Sequence, residues 1–144
     1  MKISKKCQYA LKAIFELAWR NGTEPVKTHD IAAAQRMSPR FTEIILNELK
    51  HGGFVESRRG SEGGYMLARD AGELTVREII EYVEGPISIA ESNGNTPSTG
   101  NGAFAGLWHE INNAVCEVCE NKGFADLVEF ERAKRDKCAL NYSI

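Results

Sequence analysis

Between Met37 and Tyr65 the chain runs Met37-Ser38-Pro39-Arg40-Phe41-Thr42-Glu43, then Ile44–Lys50, Gly52-Gly53, and a short apolar stretch leading to Arg58-Arg59-Gly60-Ser61-Glu62-Gly63-Gly64. No other stretch limits the fold as tightly. Ser38 is a strong helix N-cap, and Pro39 suits the first helical position, where its missing N–H costs nothing. Ile44, Ile45 and Leu49 give this helix an apolar side, and Gly52-Gly53 ends it. Phe54–Ser57 and Tyr65–Leu67 are strand candidates, so Arg58–Gly64 becomes a hairpin tip whose glycines accept positive φ. The predicted unit is a capped helix beside a basic, glycine-rich hairpin.

The residues before it supply a support. Ala10, Ala13, Ile14, Leu17 and Ala18 form an amphipathic stripe over Lys5–Arg20, with Ser4 as cap and Asn21-Gly22 as terminator. Thr28 offers the N-cap of a second helix reaching Arg36, with Ile31 and Ala34 facing inward. Two short helices joined by a tight turn make a helix-turn-helix.

Beyond the hairpin, Thr75 and Glu78 form a capping box for a helix that stops at Gly85-Pro86. Ser92–Gly102 is a polar loop by composition. Phe104–Glu120 returns to helical spacing through Phe104, Leu107, Trp108, Ile111, Val115 and Val118. So wide an apolar face needs a cover, and a second copy of the chain is the expected one. A shorter helix is expected over Ala125–Ala133, with a frayed polar tail from Lys134. The expected architecture is therefore mainly α with a small β wing. A winged helix-turn-helix domain spans 1–85, a flexible loop 86–103, and a dimerisation helix with its tail 104–144.

Charge divides along the same line. The overall net charge is −2, yet residues 1–69 carry 12 Lys and Arg against 7 Asp and Glu, while residues 70–144 carry 6 against 13. A basic first half invites a polyanion. No apolar run is long enough to span a membrane, and no signal peptide is evident, so the expected location is the cytoplasm.

These features point to double-stranded DNA. Ser38, Pro39, Arg40, Thr42 and Glu43 form the first turns of the capped helix, with Arg40, Thr42 and Glu43 expected to be exposed for contact with base edges. At the tip, Arg58 and Arg59, flanked by Gly60, suit a narrow minor groove. Ser57 and the amides of Gly63 and Gly64 can hold phosphates, as can Lys5, Lys6 and Arg58. The Glu62 side chain should point away from such a partner. No nucleophile elbow, P-loop or dinucleotide fingerprint is present, so nothing supports an enzyme.

The four cysteines, Cys7, Cys116, Cys119 and Cys138, leave several readings open: structural thiols, a thiol switch linked to the dimer, or weak metal ligands. Cys116 and Cys119 stand three apart on one helix, with Cys119 flanking the apolar stripe and Cys116 turned outward. Cys7 is either packed beneath the late helix or activated by Lys5, Lys6 and the helix dipole. His29, His51 and His109 are scattered and read as surface residues.

Several motifs together carry a resemblance. Met1-Lys2-Ile3-Ser4 with Tyr9-Ala10-Leu11, Asp30-Ile31-Ala32, Ser38 with Phe41 and Glu43, Arg59 through Ala68, Glu84-Gly85-Pro86 and Leu107-Trp108 are similar to the IscR/NsrR/CymR family of bacterial transcription regulators. The resemblance implies a winged-helix homodimer that binds a palindromic operator as a repressor, the late helix crossing its partner through Leu107, Trp108, Ile111, Val115 and Val118. It implies Ser38, Arg40 and Glu43 at the major groove and Arg59 at the minor groove. The chain departs from the family in its wing, where Gly60-Ser61-Glu62-Gly63-Gly64 replaces the usual Gly-Pro-Gly-Gly-Gly. It departs more in its sensor segment. Iron–sulfur members carry three cysteines there, whereas Ile87–Leu107 has none, and Gln8 stands near where some members supply an acidic ligand. No cofactor is therefore expected, and the effector, whether a protein or a small molecule, is left unnamed.

Overall fold

The computed structural model describes residues 2–21, 23–89 and 102–142. Its core is assembled around α1 (Lys5–Trp19), which buries Cys7, Ala10, Ala13, Ile14, Leu17 and Ala18. The Ser4 hydroxyl accepts the Cys7 N–H at 3.1 Å and caps the helix. Ser4 in turn donates its N–H and hydroxyl to the Glu84 carboxylate, so the first turn of α1 is tied to the end of α4 (Val76–Glu84). The opening motif and Glu84-Gly85-Pro86, far apart in sequence, therefore form one joint.

Against α1 pack α2 (Thr28–Gln35) and α3 (Pro39–His51). Arg36, with φ of 54°, turns the chain between them. Three expectations change in this pair. Thr28 is the first helical residue and Lys27 holds the cap position, which frees the Thr28 hydroxyl for another partner. Ala34 is exposed and Ala32 is buried in its place. Ile44 is 48% exposed while Ile45 and Leu46 fill the core, because the buried stripe of α3 runs through Thr42, Ile45, Leu46 and Leu49.

The hairpin pairs β1 (Val55–Arg58) with β2 (Gly64–Leu67), antiparallel and in register from Val55 opposite Leu67 to Arg58 opposite Gly64. Val26 extends it on the other side by exchanging backbone hydrogen bonds of 2.8 Å with Tyr65 in both directions. Two glycines make this approach feasible. A Cβ on Gly64, whose φ is 149°, would lie 2.3 Å from the Val26 carbonyl oxygen, and one on Gly63 would lie 2.2 Å from that of Arg58.

The capping box of α4 forms as expected, with Thr75 and Glu78 exchanging hydrogen bonds. Helix α5 (Gly102–Glu120) buries none of its residues fully. Its end is fastened by Arg77, which donates to Glu120 at 2.7 Å, and by Val76 N–H to the Lys122 carbonyl at 3.0 Å. Helix α6 (Phe124–Tyr142) then returns along α1, and Phe124 and Val128 enter the main core. It is longer than the short helix expected, and the segment from Lys134 is helical through Tyr142. Arg132 and Arg135 lie over the Trp19 ring, 5.2 Å and 4.4 Å from its centroid, and Arg135 also pairs with Glu131. Cation–π contact and an i, i+4 ion pair hold a helix with little apolar periodicity. The polar loop expected over 92–102 falls almost wholly outside the described residues.

Candidate nucleic-acid interface

The capped end of α3 presents a small polar surface. Ser38 accepts the Phe41 N–H at 3.4 Å, Pro39 occupies the first helical position, and Arg40 projects without an ion-pair partner among the described residues. Phe41 packs edge-on against Tyr9 at 5.0 Å between centroids, which fixes the helix start to α1. Thr42 departs from expectation. It is fully buried, and its hydroxyl donates to the Ser38 carbonyl at 2.7 Å, so it stabilises the turn from inside and has no surface for a base.

Glu43 remains on the surface but is not free. Its carboxylate accepts the Thr28 hydroxyl at 2.6 Å and the Tyr65 hydroxyl at 3.3 Å, linking α2, α3 and β2. Burial, and then the Glu43 charge and hydrogen bond, push the Tyr65 phenol above its ordinary range, so it stays a donor. Thr28 and Tyr65 were missed in the sequence. Their roles depend on partners 15 and 22 positions away, for which periodicity gives no signal.

The wing supplies the second surface. Ser57, Arg58, Arg59 and Gly60 are all exposed, and neither arginine makes an ion pair within the described chain. The Gly63 N–H is used inside the turn, donating to the Gly60 carbonyl at 3.0 Å. Between the wing and α2 lies an open cleft of about 900 Å³, its cations Arg20, Lys27, Arg58 and Arg59 and its acids Glu24, Asp30 and Glu62. Glu62 lines this cleft beside those cations. His29 stays at the surface, 3.2 Å from Asp30. Lys5 is exposed, whereas Lys6 is held by Glu48 at 2.8 Å, its charge already matched.

The thiols divide between one shared cluster and one exposed position. Cys7 is fully buried against Ile80 and Ile87, with Cys116 and Cys119 packed on the same cluster. Burial, and then the nearby Glu84 charge, raise the Cys7 thiol to about 11, so the activated reading fails and the packed one holds. Cys116 turns inward rather than outward, where the Asn112 amide approaches its sulfur at 3.9 Å. Cys138 is exposed on α6.

Comparison with known proteins gives a consistent result. A sequence profile of the Rrf2 family, described as iron-dependent transcriptional regulators, matches residues 3–130. The chain is 33% identical over 136 residues to the HTH-type transcriptional regulator CymR of Bacillus subtilis, covering 94% of this chain and 96% of that one. It is 29% identical to the regulator IscR of an Enterobacter species, over 89% and 80% of the two chains. Among solved structures, CymR of B. subtilis, described as a global cysteine regulator, superposes with a TM-score of 0.79 at 33% identity over 90% of this chain and 98% of that one. IscR of T. potens superposes at 0.73 with 30% identity, over 91% and 88%. The chain thus belongs to the Rrf2 family of transcriptional regulators, and its helix-turn-helix and wing are a DNA-binding fold.

Proposed function

We propose that this regulator is a homodimeric repressor that occupies a two-fold symmetric operator, one α3 entering each major groove. The observation that carries this reading is the pair of guanidiniums, Arg58 and Arg59, exposed at the wing tip with no ion-pair partner among the described residues, on the same chain as the exposed Ser38–Arg40 turn. Arg40 suits guanine or phosphate, and Arg59 suits a narrow minor groove. Glu43, held by Thr28 and Tyr65, sets base preference by repelling wrong contacts more than by adding affinity. Lys5 and Arg58 add phosphate contacts, and Lys6 joins them when it leaves Glu48. Work in the cytoplasm is consistent with this role, and no described helix is long and apolar enough to cross a membrane.

The family's description names iron, yet the donors of this chain do not suit it. The segment Ile87–Leu107 has no cysteine. Cys7 is buried and neutral, and among the described residues no group of three or more His, Cys, Asp or Glu is placed to hold a metal. Iron–sulfur iron needs thiolates. We therefore read the chain as a regulator that acts without a cluster.

The test is binding of a DNA fragment from the chain's own promoter region, followed against salt concentration. Binding should fall steeply with salt and weaken further for Arg59→Ala. Unchanged affinity in that variant would remove the wing from the interface. Anaerobic purification with an absorption spectrum and iron analysis tests the second part. Visible charge-transfer bands lost on Cys-to-Ser substitution would overturn the cluster-free reading.

A further inference from the structure

Helix α3 turns one large apolar side chain toward solvent: Ile44 is 48% exposed and joins neither hydrophobic cluster of the described chain. It does not sit at the edge of the core. At 3.6 residues per turn, the buried stripe Thr42, Ile45, Leu46 and Leu49 is centred about 150° away from it around the helix. Its neighbours on the outer face are Arg40, Asn47 and His51, all exposed. Arg40 lies one turn nearer the capped end, about 6 Å along the axis. A single exposed isoleucine carries nothing by itself, since such residues are common on protein surfaces. Its position is what counts, because this face continues the Ser38–Arg40 turn of a DNA-binding fold.

We propose that Ile44 reads the C5 methyl group of a thymine in the major groove. The inference rests on the operator reading above and adds a base determinant to it. The thymine methyl is the apolar feature of major-groove edges, which otherwise present hydrogen-bond donors and acceptors. Against that methyl, Ile44 buries apolar area and needs no hydrogen bond. Against a G·C edge, the same side chain would strip water from polar atoms and return no partner for them, so it also disfavours the wrong pair. The adjacent carboxylate does not cover it, because Glu43 is held toward α2 and β2 by Thr28 and Tyr65. Ile44 therefore stands between Arg40 and Asn47 as the apolar element of a polar reading face.

The test uses the full chain and duplexes selected from a random pool. Those selected by the wild-type protein should hold a thymine that those selected by Ile44→Ala do not. Replacing that thymine by deoxyuridine removes the methyl and keeps every hydrogen-bonding group. The wild-type protein should then lose about fourfold in affinity for each such position, the worth of one buried methyl group. Ile44→Ala should bind the thymine and deoxyuridine duplexes alike, with an unchanged unfolding midpoint. No such thymine, equal losses in both proteins, or no loss in either would overturn the assignment to Ile44 while leaving the operator reading intact. A lowered unfolding midpoint in Ile44→Ala would make Ile44 a packing residue and overturn it as well. A wild-type chain that selects no sequence from the pool would overturn the operator reading itself.

Discussion

The DNA-reading end and the late helix solve opposite problems. In α2, α3 and the wing, side chains are held by one another: Thr28 and Tyr65 hold Glu43, Thr42 braces Ser38, and Phe41 leans on Tyr9. Positions are fixed before any partner arrives, which lowers the ordering cost of binding. Helix α5 shows the reverse, with Phe104, Leu107, Trp108 and Val118 all more than 40% exposed and its tether confined to its last turns. A preorganised surface suits recognition of a rigid groove. An apolar one suits association, since its free energy comes from area removed from water.

Breaking the association side should have the largest effect on DNA binding. Leu107→Asp places a charge on the exposed stripe, so dimers should dissociate and operator affinity should fall by roughly a hundredfold or more as the second half-site is lost. Its thermal stability as a monomer should change by less than about 0.5 kcal/mol, because the site is at the surface. A stable dimer in this variant would erase the contrast. On the reading side, Gly64→Ala should cost about 3 kcal/mol in denaturant unfolding, since a Cβ there meets the Val26 carbonyl and φ is positive. Arg59→Ala should leave folding intact and lose about 1–3 kcal/mol of binding, with the salt slope reduced by about one. Tyr65→Phe should cost about 1 kcal/mol of stability and loosen base preference, as Glu43 loses one donor. The smallest effect is chemical. At pH 8 a thiol of pKa about 11 is thiolate in only about one molecule per thousand, so Cys7 should resist alkylation while Cys138 reacts first by mass spectrometry. Because the folded pKa is raised, the native state favours neutral Cys7, and this contribution to stability is lost as pH climbs toward 11.

Much of this contrast was legible in the residues. The Ser38-Pro39 cap, the Thr75–Glu78 box and the paired strands formed within a residue or two of the expected places. The apolar stripe expected on α5 is present and exposed at Phe104, Leu107, Trp108 and Val118. The errors cluster where a choice between two sides of a helix had to be made. Ile44 and Thr42 exchanged their expected environments, and Cys116 turned inward. Helical spacing assigns residues to a common side but does not say where the neighbouring elements lie. The tail from Lys134 was misjudged for a related reason, since its support is Trp19 on another helix.

What the sequence determined by itself was local: which segments become helix or hairpin, where they stop, where glycine is required, and that the first half is basic. These follow from caps, periodicity and side-chain chemistry acting over a few residues. Only the tertiary structure decided that Glu43 is clamped, that Ser4 is joined to Glu84, that Cys7 is sealed under α5, and that an apolar groove opens between α1 and the end of α5. Each of those depends on residues brought together across the chain, whose meeting is set by how helices pack around α1 rather than by any short-range preference.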